Sequence, residues 1–350
     1  MTVHGDIGRW PTIRDVAARA GVSHQTVSRV INGREEVAPE TRRRVRAAIR
    51  QLRYVPSPLA RGLMGSRTHS LGMVTADVTD QFFAEAIAGA ELETRKRGYY
   101  LIVASVEGEA EDDELAYLRL MLERRVEGLI VARPQVPLTL EQLPVAVERV
   151  PLVSIGSPEV PGFMAVDVDN RGGGFEATSR LVAHGHRMIA TITGPSEWPS
   201  ARERLDGYRR ALRAAGAYDG SLVEAASDWG PESGQAALRR LLSRAAGFTA
   251  VFAHSDLLAL GAIRELRSRG LSVPDDMSVV GYADIPVASF VDPPLTTVRQ
   301  PMREVGALAA KLLLDRIAGD GAAPVGGRIY LPTIVVERGS IGPPRTTTST

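Results

Sequence analysis

The sequence predicts a small all-α helix-turn-helix head followed by an α/β body of two doubly wound parallel-sheet lobes. Three observations carry that expectation. Charge is split along the 350 residues: residues 1–67 hold 13 arginines against 5 acidic residues. The remainder holds 29 basic against 36 acidic residues, so a net charge of +1 conceals a head at +8 and a body at −7. Residues 12–54 read as three short helices with a glycine turn after the first. From Ser70 onward, short apolar runs alternate with amphipathic helical stretches, the pattern of βαβ units and parallel sheets.

Composition narrows the function class. Hydrophobic residues make up 44% of the chain, enough for a sizeable core spread over two or three domains. Cysteine is absent, which excludes a disulfide framework, a thiolate nucleophile and thiolate metal sites. No apolar run approaches the roughly 18 residues of a membrane-spanning helix. The opening MTVHGDIGRWPTIRD lacks the apolar core of a secretion signal, so a cytoplasmic protein without a membrane partner is expected. A basic head on a mildly acidic body points to a polyanion as partner of the head alone.

In the head, Thr12 is placed to cap IRDVAARA, with Asp15 three positions on in capping-box register. Ile13, Val16, Ala17 and Ala20 share one face, and Gly21 supplies a left-handed residue after the helix. Ser23 caps HQTVSRVIN, whose apolar face is Val27, Val30 and Ile31 and which Gly33 ends. Pro39 opens the third helix, with Val45, Ala48, Ile49 and Leu52 inward. This is the helix-turn-helix plan, in which the second helix enters the major groove. Its outward positions are His24, Gln25, Ser28 and Arg29; Gln pairs with adenine N6/N7 and Arg with guanine O6/N7. The plainer alternative is a three-helix domain with a solvated polar face. Beyond it, Ser57 and Pro58 start LARGLM, closed by Gly65, a segment too short to stand as an isolated helix. It reads either as a Pro/Gly linker or as a helix that forms on DNA, where Leu63 would wedge between base steps of the minor groove.

In the body, the strand candidates are SLGMVTAD, YLIVAS, EGLIVAR, PLVSIG, MAVDVD, MIATIT, AVFAHS and SVVGYAD, with helices between them. Their continuous apolar character means sheets covered on both faces. A break near 160–166 divides two lobes, and the default ligand site lies in the cleft outside the strands' carboxyl ends. Two other signals are set aside. Gly172, Gly174 and Ala177 match G-x-G-x-x-A, but the next strand, MIATIT, ends without the ribose-binding acid of a dinucleotide site. His184 and His186 lie at a helix end with no third ligand nearby, so no metal is expected. No G-x-S-x-G, P-loop or H-E-x-x-H occurs, and no enzyme or cofactor is expected.

The stretch TIRDVAARAGVSHQTVSRVINGREEVAPETRRRVRAAIRQLRYVPSPLARGLMG resembles the DNA-binding and hinge region of the lac repressor/gal repressor family. GHRMIATITGP, SARERLDGY, SDLLALGAI, LSVPDDMSVVGYAD and PPLTTVRQPMREVGALAAKLLLDRI resemble that family's effector domain, so the likeness covers about residues 12–340. It implies a homodimer on a pseudo-palindromic operator in double-stranded DNA, a hinge helix, and a periplasmic-binding-protein-like core crossed three times by the chain. The implied DNA contacts are Thr12, Ser23, His24, Gln25, Thr26, Ser28, Arg29 and Asn32, with Ala60 and Leu63 in the hinge. The implied effector contacts are Phe82, Phe83, Arg204 and Trp229, with Trp198 at the cleft mouth. Ser255 stands where the family often has Asn or Asp. Ala283 replaces the family's usual effector-binding Asp, and Asp284 is retained beside it. Flat aromatics, one arginine and short polar groups suit a sugar.

The implied layout is a disordered arm over 1–10, a DNA-binding domain over 11–56 and a hinge over 57–68. An effector domain follows over 69–341, with an N-lobe of about 69–166 and 300–328 and a C-lobe of about 167–299 and 329–341. A flexible tail over 342–350 ends the chain. No leucine-heptad helix follows the body, so a dimer is the expected assembly. The expected function is sequence-specific transcriptional repression controlled by a small-molecule effector, a sugar. The competing expectation is a solute-binding receptor without DNA function.

Overall fold

The structure is a computed structural model that describes residues 11–31, 33–34, 36–55, 67–106, 111–132, 150–156, 163–245, 247–319 and 326–345. Its contacts divide into two compact units, residues 1–68 and 69–350. The sequence expectations for the 1–10 arm and the hinge helix, with Ala60 and Leu63, lie outside the described residues, as does Asn32.

The first unit contains α1 (Ile13–Ala20), α2 (His24–Ile31) and α3 (Pro39–Gln51). Thr12 and Asp15 form the reciprocal capping box: the Thr12 N–H donates to Asp15 Oδ2 at 2.7 Å and the Asp15 N–H to Thr12 Oγ1 at 3.4 Å. Gly21 adopts φ 63°, a left-handed turn that reverses the chain into α2. There the Thr26 N–H donates to Ser23 Oγ at 3.1 Å. Val16, Val27 and Val45 are fully buried, one from each helix, and Tyr54 closes the core. Ala38 precedes Pro39 without a side-chain cap.

The second unit opens with β1 (Ser70–Thr75), α4 (Gln81–Lys96), β2 (Tyr100–Ser105), α5 (Glu111–Glu123), β3 (Gly128–Ala132), β4 (Leu152–Ile155) and β5 (Met164–Val168). The chain then builds a second lobe from α6 (Asn170–Ala183), β6 (Ile189–Thr193), α7 (Pro199–Ala214), β7 (Val223–Ala225), α8 (Pro231–Arg244), β8 (Ala250–Ala253), α9 (Asp256–Ser268) and β9 (Ser278–Val280). It crosses back through β10 (Thr297–Arg299), adds α10 (Met302–Ala318) and β11 (Gly327–Leu331) to the first lobe, and returns with β12 (Ile334–Val336). The N-lobe sheet has the order β11-β5-β4-β3-β1-β2 and the C-lobe sheet β7-β6-β8-β9, both parallel. β10 and β12 pair antiparallel beside the crossings. Among the described residues, no helix is long and apolar enough to cross a membrane.

Two expected boundaries need correction. The lobes do not change at 166/167 and 328/329, nor near 160–166. β5 and β11 run on as one parallel ladder to Val168 and Leu331, so Asp167, Val168 and residues 329–331 belong to the N-lobe. Nor is the expected tail loose from residue 342. The Gly342 N–H donates to Ser278 Oγ at 3.0 Å, and Arg345 pairs with Asp276 at 2.6 Å, so polar groups of the C-lobe hold residues 342–345.

The glycines that imitate a dinucleotide fingerprint serve helix packing. A side chain on Gly174 would run into the Arg204 carbonyl, because α6 and α7 pack backbone to backbone there. Gly174→Ala should therefore cost about 1–3 kcal/mol, a penalty of overpacking against backbone that cannot yield. Urea unfolding of the full chain measures it, and a loss under about 0.5 kcal/mol would contradict the contact.

Candidate nucleic-acid interface and ligand cleft

The first unit presents a polar helix face. On α2, His24, Gln25 and Arg29 are exposed and Ser28 and Thr26 half-buried, while Val27 and Val30 point into the core. The Ser23 and Thr26 hydroxyls lie 3.0 Å apart, so both help hold the start of α2, as Thr12 holds α1. His24 and Gln25 thus sit in the first turn of a capped helix, where side chains precede the helix body and reach outward. Arg29 follows one turn later on the same side. Arg43, Arg44, Arg46 and Arg50 of α3 are also exposed and add to the unit's positive charge.

In the second unit, a cavity of about 470 Å³ lies between the lobes at the carboxyl ends of the strands. Phe82 and Phe83 wall it from the start of α4, edge to face at 5.0 Å. Phe83 is 2% exposed and belongs mainly to the N-lobe core, whereas Phe82 is half-buried. Trp198 packs against the N-lobe core and Trp229 against the C-lobe core. The two indoles meet edge to face at 5.7 Å, so one aromatic corner spans both lobes.

Arg204 lies on the cavity wall, 5% exposed, and not in a surface ion pair with Asp206, which Arg171 takes at 2.6 Å. Its Nε donates to Asn170 Oδ1 at 2.9 Å and its Nη1 to the His254 carbonyl at 2.5 Å. The guanidinium lies 3.8 Å from the Tyr282 ring centre and 5.5 Å from that of Trp229. Burial lowers its pKa from the usual arginine value and holds the imidazole of His254 well below the ordinary histidine range.

Sequence reasoning missed several polar residues on this wall: Asp80, Asp167, Asn170, Asp256, Tyr282 and Gln300 all line the cavity. Burial raises the Asp167 carboxyl to about 7, partly offset by the Val168 N–H and two arginines. Burial likewise raises Asp256 to about 6, with the Thr297 hydroxyl and Ile285 N–H opposing. Two buried donors, Trp229 Nε1 and Gln300 Nε2, make no hydrogen bond. Unpaired buried donors are costly, and both belong to residues of the cavity wall. The missed residues carried one signal in the sequence: each follows or ends a strand, which is where such sheets bind ligands.

The site residues expected from sequence therefore divide. Phe82, Phe83, Trp198, Arg204, Trp229 and Ser255 come together on one cavity, with Ser255 also capping α9 through the Leu258 N–H at 3.1 Å. Asp284 does not, and its expected place in the effector site is corrected. Its carboxylate is turned to Arg299 at 2.7 Å and Arg338 at 2.5 Å, because residues 283–284 take left-handed backbone (φ 128° and 56°) that presents Ala283 to the cavity instead. Among the described residues, no cluster of ligating side chains could hold a metal ion. His186 is buried on the Thr249 hydroxyl and the Gly342 carbonyl, at 2.7 and 2.9 Å.

A family model described as bacterial regulatory proteins, lacI family, matches residues 12–57, and one described as a periplasmic binding protein-like domain matches 178–341. The chain is 42% identical over 341 residues to the HTH-type transcriptional regulator CelR of Thermobifida fusca, covering 95% of this chain and 98% of that one. Its structure is similar to a lac repressor dimer bound to operator and the anti-inducer ONPF, with a TM-score of 0.87, 31% identity, and coverage of 95% and 100% of the two chains. It is also similar to a complex of the transcriptional regulator CelR with cellobiose, with a TM-score of 0.70, 40% identity, and coverage of 94% and 99%.

Asp284→Asn should remove charge from both ion pairs yet leave ligand affinity within about threefold, since the carboxylate does not face the cavity. The stability loss should be about 1–3 kcal/mol, because Arg338 is left half-buried without its partner. Titration of a cavity ligand alongside thermal unfolding checks this, and a tenfold affinity loss at unchanged stability would return Asp284 to the ligand site.

Proposed function

This chain belongs to the lacI family of bacterial regulatory proteins, and on that premise we infer that it is a sequence-specific transcriptional repressor whose operator affinity is set by a sugar held between its lobes. The observation that carries the reading is the pairing, in one chain, of two features. One is a capped helix with exposed His24, Gln25 and Arg29; the other is a polar and aromatic cleft with unsatisfied donors. A solute receptor accounts for the cleft and leaves the basic head unexplained.

On DNA, α2 lies in the major groove. Gln25 reads adenine and Arg29 reads guanine, His24 and Ser28 contact neighbouring base edges or phosphates, and the arginines of α3 neutralise the backbone. Thr12, Ser23 and Thr26 contribute helix ends that point N–H groups at phosphates. The operator is a pseudo-palindrome, read by a homodimer. The hinge of residues 57–68 carries Ala60 and Leu63 to the minor groove, where Leu63 opens a base step. Asn32 completes the head contacts at the end of α2.

In the cleft, Trp198, Trp229 and Phe82 offer ring faces to the C–H patches of a sugar, and Arg204, Ser255, Asn170 and Gln300 meet its hydroxyls. The cellobiose found in the CelR complex makes an uncharged disaccharide the leading effector. Coupling follows from linkage. Sugar closes the lobes and favours one dimer geometry, operator DNA favours another, and the sugar thereby releases the operator. The protein acts in the cytoplasm, without a cofactor and without catalysis.

Selection of bound duplexes from a random pool by the purified protein should enrich a two-fold-symmetric site with a deformable centre. Failure to enrich any such site, with or without sugars, would leave the receptor reading in front. On the selected site, Arg29→Ala should cost about 1–3 kcal/mol and relax specificity at one base pair. An equal loss on every sequence would make Arg29 a phosphate contact. Trp229→Ala should weaken sugar binding at least tenfold and spare operator affinity without sugar. A parallel loss of both would make Trp229 a core residue.

A further inference from the structure

Asp167 is the penultimate residue of β5 on the N-lobe side of the cleft, at a position outside the effector residues that the sequence resemblance marks. Its side chain is only 6% exposed, and what it exposes is the cavity. Oδ1 accepts from the Val168 N–H at 2.7 Å. Oδ2 is 3.7 Å from Arg328 Nη1, an ion-pair distance too long for a hydrogen bond. The charged groups facing it are Arg328 from β11 and Glu203 and Arg204 from α7, with Glu203 lying 4.0 Å from Arg328. A carboxylate oxygen of a largely buried side chain that opens only to the cavity and accepts no hydrogen bond carries a desolvation penalty that a donor there would relieve.

The surrounding wall specifies what brings that donor. Trp229 and Gln300 line the same cavity, but the nitrogens Trp229 Nε1 and Gln300 Nε2 are sealed beneath its surface, so the open requirement is the donor that Asp167 Oδ2 lacks. Hydroxyl groups supply one without bringing charge. Negative charge on the ligand is disfavoured, because Asp80, Asp167 and Asp256 all line the cavity. Arg204 offsets this only in part, one cation against three carboxyls, and its Nε and Nη1 are already directed to Asn170 and His254.

We propose that Asp167 is a specificity-determining residue of the effector cleft: Oδ2 accepts hydrogen bonds from adjacent hydroxyls of a neutral glycosyl ring, and its charge excludes sugar acids. This rests on the sugar-effector reading and adds to it the polarity of the effector. Because burial holds this carboxyl near 7, sugar affinity rises with pH. Below that point the group is protonated and accepts poorly; above it the carboxylate is formed.

The test is a titration of the protein's tryptophan fluorescence with cellobiose and with cellobionate, at pH 6 and pH 8, for the full chain and for Asp167→Asn. Wild type should bind cellobiose in preference to cellobionate and about tenfold more tightly at pH 8 than at pH 6, the ratio of carboxylate populations for a group near 7. Asp167→Asn should bind cellobiose at least tenfold more weakly at pH 8, lose the pH dependence, and narrow the preference over cellobionate at least fivefold. A thermal melt at or above that of wild type would show the variant folded, since the substitution removes a buried charge. Cellobiose affinity within twofold of wild type at pH 8 would overturn the proposal, as would equal binding of both ligands to wild type. Those wild-type measurements decide the matter even if the variant fails to fold. If neither cellobiose, maltose, glucose nor ribose binds wild type, the sugar-effector reading falls and Asp167 falls with it.

Discussion

The guanidinium of Arg204 is buried in the C-lobe wall, and much of the cleft is arranged around the need to accommodate that charge. A lone buried cation is strongly unfavourable unless hydrogen bonds and polarisable groups replace its water. Asn170 at the start of α6 and the His254 carbonyl after β8 supply the bonds, and Tyr282 after β9 supplies a ring face at 3.8 Å. Two loops at the carboxyl ends of C-lobe strands, and the crossing that leaves N-lobe strand β5, are thereby tied to one side chain of α7. The glycine at position 174 lets α7 approach closely enough for this, because its missing side chain makes room for the Arg204 backbone.

The same arrangement explains why the cleft responds to ligand. Its two halves meet through the edge-to-face tryptophans, each packed on a different lobe, and through Arg328 of the N-lobe, 4.0 Å from Glu203 of α7. A contact of that length between charged groups is weaker than a hydrogen-bonded pair, so a small relative shift of the lobes changes its energy little. A polyhydroxyl ligand that bonds both walls adds what is missing and favours one lobe arrangement. In linkage terms, its differential affinity for that arrangement is the whole of its leverage on DNA binding.

Much of this was legible in the sequence because local chemistry and global fold agree. Thr12, Gly21, Ser23 and Pro39 announce the ends of three helices, and each does what its side chain or backbone freedom favours. The eight apolar runs become eight strands: seven are buried along their length, as sheets covered on both faces demand, and β2, at a sheet edge, is partly exposed. Less legible were β7, β10 and β12, whose three residues each are too short for a period, and β11, which ends its sheet and is only half-buried. Asp284 was misplaced because a sequence shows adjacent residues but not which way a left-handed turn points them. Asp167 was hidden inside MAVDVD, where a strand's apolar pattern gives no sign that one carboxylate reaches a cavity rather than solvent.

Sugar in the cleft and operator on the head are coupled through one chain, and reciprocity of the two affinities follows directly. Sugar affinity is measured by tryptophan fluorescence for the free protein and for the protein saturated with its selected operator. Operator affinity is measured separately with and without saturating sugar. Operator should weaken sugar binding by the same factor, about 5–150-fold for typical coupling, by which sugar weakens operator binding. Equal sugar affinity with and without operator would contradict it, and would leave a DNA-binding unit and a sugar-binding unit that share a chain without sharing a function.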